Sequence, residues 1–132
     1  MIVSTVMNFR DYGLKSAEDK AKLTAEIVKS GLTAHMVNGI MDQRDYFLDE
    51  IGGVENINEL WIARSPTVIK QYGQGHNNEI PRDKIDRDVL KSAKSISDVT
   101  ETPTRSLMRV TIPYEASEFG NPNCMNCHDA KE

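Results

Sequence analysis

The chain has 132 residues, 39% of them apolar and 27% charged, with a formal net charge of −4. That length supports a single domain, residues 1–132, with a core of its own. The acidic balance leaves no basic stripe for nucleic-acid phosphates, and no apolar run approaches the roughly 18 residues of a membrane span.

The opening MIVSTVMNF is the longest apolar candidate. It lacks the charged flank and small-residue cleavage site of a signal peptide, and it reads as the end of a hydrophobic segment lying upstream. Ser16-Ala17-Glu18-Asp19 then has the form of a capping box. Leu23, Ile27, Val28, Leu32 and Met36 follow it at spacings that fit one helical face, up to a break at Asn38-Gly39. A second helix is expected from about Met41 to Ile51, with Phe47, Leu48 and Ile51 inward, stopping at Gly52-Gly53. Its carboxylates Asp42, Asp45, Asp49 and Glu50 read as a solvated face.

After the glycine pair, Glu59 to Arg64 has strand composition, closed by Ser65-Pro66. Thr67 to Tyr72 reads as a short strand or a turn-rich segment. Pro81 is placed to open a helix carrying Ile85, Val89 and Ala93. Its charged neighbours Asp83, Asp86 and Asp88, mixed with Arg82, Lys84 and Arg87, read as surface ion pairs. Arg105 to Tyr114 alternates: Met108, Val110, Ile112 and Tyr114 face one way, Leu107, Arg109 and Thr111 the other. Helices followed by strands with an intervening helix imply an α+β fold.

The chemistry sits at the far end. The only two cysteines form Cys124-Met125-Asn126-Cys127-His128, and a disulfide across so short a loop removes little entropy from the unfolded chain. A thioredoxin-like pair needs a helix behind it, and a structural zinc site needs four ligands, for which only His35 and His76 remain. C-x-x-C-H is instead the signature of covalent c-type haem attachment. Two thiols at this spacing can add to the two vinyl groups of one porphyrin, and the following His128 is carried under the ring as proximal iron ligand. Such attachment implies export, which in bacteria means the periplasm. For the distal position, Met36 and Met41 flank the Asn38-Gly39 break and are the candidates. Met108 faces the expected sheet, and Met125 lies inside the attachment loop. His35 and His76 would give bis-histidine ligation, and His76 reads as a solvated loop residue. Trp61 and Tyr114 read as walls of a cofactor pocket or as core aromatics.

In the common electron-carrier cytochromes the motif comes early, whereas here it comes last. The cytochrome c′ family places it late, but on the last helix of a four-helix bundle, which Pro113 and Gly120-Asn121-Pro122-Asn123 oppose. The chain resembles the periplasmic haem-c sensor domains of bacterial methyl-accepting chemotaxis proteins. A helical region leading to His35-Met36-Val37-Asn38-Gly39, the segment Arg44 to Ile51, the strand Glu59 to Arg64 and a late strand running into the haem motif carry the likeness. The resemblance implies a PAS-like antiparallel sheet with long N-terminal helices and a C-terminal haem-attachment loop. It also implies flanking membrane helices outside these residues and a homodimer, in some members helix-exchanged. A displaceable methionine, here Met36 or Met41, would serve as distal ligand. The function it implies is non-enzymatic: sensing redox state or a small gaseous ligand and signalling in chemotaxis. The alternative is a monohaem electron-transfer cytochrome, the cytochrome c′ type included. A peroxidase is disfavoured because no distal acid–base pair stands out.

Overall fold

Strand β1, Ile2–Asn8, pairs antiparallel with two neighbours: β2, Ile57–Ala63, along one edge and β4, Ser106–Pro113, along the other. The computed structural model describes residues 1–9, 13–75 and 79–115. Strand β3, Ile96–Glu101, completes a four-stranded antiparallel sheet in the order β2-β1-β4-β3. β1 is an inner strand, covered by helices on both faces, and Ile2 to Met7 are all buried. A strand in that position needs apolar residues on both sides and reads as a continuous run. The opening run, expected to be the end of a hydrophobic segment, is an inner strand of this sheet. The long helices expected at the N-terminus follow this strand instead of leading the chain.

Helix α1, Leu14–Val37, lies across one face of the sheet. Its buried row is Ala17, Ala21, Ala25, Val28 and Leu32, spaced four, four, three and four residues apart as one helical face requires. Val3, Met7, Ile62, Met108, Val110 and Ile112 meet it from the sheet. These large sheet residues fill the volume, so the helix contributes alanines and can lie close. The expected face is rotated accordingly: Val28 and Leu32 are buried, but Leu23 and Ile27 are 61% and 47% exposed. Ser16 is inside the helix, and the capping residue is Gly13 without any side-chain bond, so the capping box is not formed. At 24 residues α1 is long, yet among the described residues no helix is both long and apolar enough to cross a membrane.

Asn38 ends α1, and Gly39 turns the chain with φ of +68°, a conformation that glycine adopts without strain. A single 3-10 turn, Met41–Gln43, leads into α2, Arg44–Gly52. Phe47, Leu48 and Ile51 pack against the α1 side of the core as expected. Gly31 makes that approach possible, because a Cβ there would overlap the Phe47 ring.

The segment after Ser65 is a helix, α3, Pro66–Tyr72, and not a strand or turn. The Ser65 hydroxyl accepts from Val68 N at 3.3 Å while Pro66 occupies the first turn, so the pair that looks like a strand terminator is a helix start. Helix α4, Lys84–Ser92, begins three residues after Pro81 because Asp83 caps it, accepting from Asp86 N at 3.1 Å. Ile85 and Val89 pack with Ile2 and Ala63 on the second face of the sheet, while Ala93 lies just past the helix in a left-handed turn. β4 alternates as its sequence implies, with Met108, Val110, Ile112 and Tyr114 in the α1 core.

The second face holds the largest departure from expectation. Asp86 is fully buried and is not part of a surface ion pair. Its carboxylate accepts from Ser4 Oγ at 3.1 Å, Trp61 Nε1 at 3.0 Å, Arg109 Nη2 at 2.6 Å and Arg82 N at 2.9 Å. Ser4 and Thr111 hydroxyls share a 2.6 Å bond, and Arg109 also pairs with Asp83. Arg82 and Arg109 lie 4.5 and 4.8 Å from the Trp61 ring centre, a cation–π arrangement. Asp88, by contrast, does pair at the surface, with Lys84 at 2.9 Å.

Candidate functional site

At one end of the sheet, six parts of the chain line a cavity of about 400 Å³, within the range of small-molecule sites. The end of α1 supplies Met36, and the turn beyond it supplies Gly39. Met41 and Asp42 come from the 3-10 turn, Val68 and Tyr72 from α3, Arg64 from just after β2, and Met1 from just before β1. Three thioethers, an isopropyl group and a phenol make the lining mainly apolar, and methionine adapts its shape to an irregular occupant. Both candidate distal methionines therefore open onto one space, which their separation of five positions along the chain did not require.

Beneath the cavity lies a buried ionic cluster. Arg44, 2% exposed, reaches Glu79 through Nε at 3.1 Å and also through Nη2, a two-point pairing. The same guanidinium donates from Nη1 to the Met41 carbonyl at 2.6 Å, fixing the turn that carries Met41. Arg64 approaches the same carboxylate through Nε at 3.5 Å. Its Nη1 is held by the Tyr72 and Gly73 carbonyls at 3.3 and 3.1 Å, and its backbone N by Glu79 O at 2.7 Å. Burial lowers the Arg64 pKa; Glu79 opposes that and the neighbouring Arg44 adds to it. Gly75, at φ of +77°, leaves room for this cluster, since a Cβ there would collide with the Glu79 carboxylate and the Arg64 guanidinium.

The chain leaves β4 beside the cavity. Tyr114 N donates to Met1 O at 2.7 Å, and the Met1 amino group to Tyr114 O at 3.4 Å. The Tyr114 hydroxyl bonds Thr33 on α1, and Lys29 Nζ sits 5.7 Å from the ring centre. Cys124, Cys127 and His128 lie outside the described residues, as does His76. His35 is half-buried and is not among the described residues lining the cavity: its Nδ1 is 2.8 Å from Gly31 O, and its ring is 5.4 Å from that of Phe47. Trp61 and Tyr114 are core aromatics, and neither is among the described residues lining the cavity.

Sequence reasoning missed Arg44, Glu79 and Arg64. Arg44 and Glu79 are 35 residues apart, and a lone arginine opening a helix carries no sign that it is buried. Fold and cavity together define a small α+β domain with a ligand-sized, methionine-lined pocket at one end of its sheet. No family model, curated protein or solved structure matches the chain.

Proposed function

We propose that the chain is the periplasmic, PAS-like sensor portion of a bacterial chemotaxis receptor, carrying one covalent haem c. In this reading Cys124 and Cys127 form the thioethers, His128 is the proximal ligand, and Met36 or Met41 is the distal one. The observation that carries it is the C-x-x-C-H motif. The cavity supports it as a mainly apolar space lined by both candidate methionines, and beyond β4 the chain at Tyr114 is hydrogen-bonded to Met1, which lines that cavity. Cys124 lies ten residues beyond Tyr114, a tether whose extended reach is about 35 Å. The antiparallel sheet with helices on both faces supports an α+β sensor domain and opposes the four-helix bundle of cytochrome c′.

When bound, haem supplies an iron whose sixth position can exchange a thioether for a diatomic gas. The protein's part is positional. Met36 sits on the last turn of α1, so holding or freeing its side chain would act on a helix packed on β1 and β4. Met41 sits on a turn tied to Arg44, so holding or freeing its side chain would act on α2 and Glu79. A gas or redox partner shifts the domain only by its different affinity for the two arrangements. Homodimerisation, helix-exchanged or not, and flanking membrane helices outside these residues complete the reading.

The test is expression with haem-attachment machinery, followed by haem staining after denaturation and by optical spectra with and without carbon monoxide. Covalent haem that disappears in Cys124→Ala/Cys127→Ala, with carbon monoxide binding to the ferrous form, is the expected result. Absence of covalent haem overturns the whole proposal. Haem that stays six-coordinate in both oxidation states and never takes carbon monoxide leaves the electron-transfer alternative in its place. Met36→Leu and Met41→Leu, made separately, identify the distal ligand by which one changes the ferrous spectrum.

A further inference from the structure

The cavity is apolar but not neutral. Two guanidiniums, Arg44 and Arg64, converge on the Glu79 carboxylate, and they do not share it equally. Arg44 takes it at two points, whereas Arg64 reaches it from one nitrogen at 3.5 Å. Arg64 is the member of the pair that lines the cavity, and its side chain is only 12% exposed. Backbone carbonyls of Tyr72 and Gly73 hold it in place, so little ordering remains to be done when an anion arrives. Asp42, the only carboxylate among the described lining residues, is exposed to water. A desolvated, loosely paired cation beside apolar walls favours an anion that brings its own apolar body, and a guanidinium matches the two oxygens of a carboxylate.

We infer that Arg64 makes this cavity a receptor for an amphiphilic carboxylate, with the apolar body among Met1, Met36, Met41 and Val68 and the carboxylate on the Arg64 guanidinium. Two sources present that chemistry. One is a propionate of the tethered haem, which rests on the function proposed above; the other is a free amphiphilic acid, which does not.

The experiment uses the full 132-residue chain with Cys124→Ala and Cys127→Ala, so that no haem is attached. Binding of mesoporphyrin and of its dimethyl ester is measured by porphyrin fluorescence, and binding of decanoate and methyl decanoate by calorimetry. The acid is expected to bind about tenfold more tightly than the ester, the scale of one charge-assisted hydrogen bond. Arg64→Leu is expected to remove that preference, and Arg64→Lys to restore part of it. A preference confined to the porphyrin identifies the propionate; one confined to decanoate identifies a free acid and withdraws the cavity's support from the haem reading. Equal affinity for acid and ester in both pairs overturns the inference, and so does a preference that survives in Arg64→Leu. The acid–ester comparison needs no Arg64 variant, so it decides even if that variant fails to fold. Haem staining tests covalent attachment separately, which keeps the two failures distinguishable.

Discussion

On one face of the sheet, α1 lays Ala17, Ala21, Ala25, Val28 and Leu32 against methionine, valine and isoleucine side chains. On the other, α4 carries a fully buried aspartate into a set of hydroxyl, indole and guanidinium donors. The first face is held by volume, and small errors are absorbed by sliding and repacking. The second is held by individual atoms, each of which satisfies another, so that removing one strands several. The same strands serve both faces: β1 offers Val3 and Met7 to one and Ile2 and Ser4 to the other.

The sharpest way to break the second face is Asp86→Ala. It leaves the Arg109 guanidinium half-buried beside an empty position and takes the acceptor from Trp61 and Ser4, so a loss of about 3–5 kcal/mol is expected in urea unfolding. On the first face, Leu32→Ala should cost about 2–5 kcal/mol, scaling with the cavity left behind. If Asp86→Ala proved the cheaper of the two, the polar face would be an accessory to the apolar one.

Thr5 sharpens the contrast from the opposite direction. It is fully buried beneath α1, and its Oγ1 has no hydrogen-bond partner among the described residues. Thr5→Val keeps the shape and removes the stranded hydroxyl, so thermal unfolding should show a gain of about 1 kcal/mol. The same exchange at Thr111, whose hydroxyl bonds Ser4 and Arg109, should destabilise.

The smallest effect concerns Asp83. Arg109 hydrogen-bonds its carboxylate and holds its pKa below the usual carboxylate value, against a smaller opposing effect of burial. Stability from this pairing is present above the unfolded value near about 3.9 and is lost as pH falls through the lowered native value. Asp83 is 46% exposed, so water screens the pair and Asp83→Asn should cost less than about 1 kcal/mol at neutral pH. Asparagine can still cap α4. The gap between variant and native protein in unfolding midpoint should close as the pH is taken from 7 to below 4.

What was legible in the residues follows from periodicity and turn chemistry. The alternation of β4, the inward set Phe47, Leu48 and Ile51, and the stop at Asn38-Gly39 each have a local cause and stand as read. β3 was not legible, because an exposed edge strand need not alternate. α3 was hidden because Ser-Pro punctuates strands and starts helices alike, and only the following residues' tertiary setting separates the two. Leu23 and Ile27 looked like core because hydropathy ranks them above alanine. A helix pressed onto a sheet of large side chains is limited by space, and the alanines win.

The candidate site divides the same way. The C-x-x-C-H pattern on which the haem proposal rests is carried by the sequence by itself, because it is a matter of spacing along one short stretch. The sequence also determined the α+β character, which local patterns carry. Only the tertiary structure brought Met36 and Met41 to one cavity and placed Arg64 on its wall. It alone turned Asp86 inward and set Arg44 and Glu79 together across 35 residues. The reason is physical: whether a charge is solvated or buried depends on which partners the fold delivers to it, and those partners lie far away along the chain.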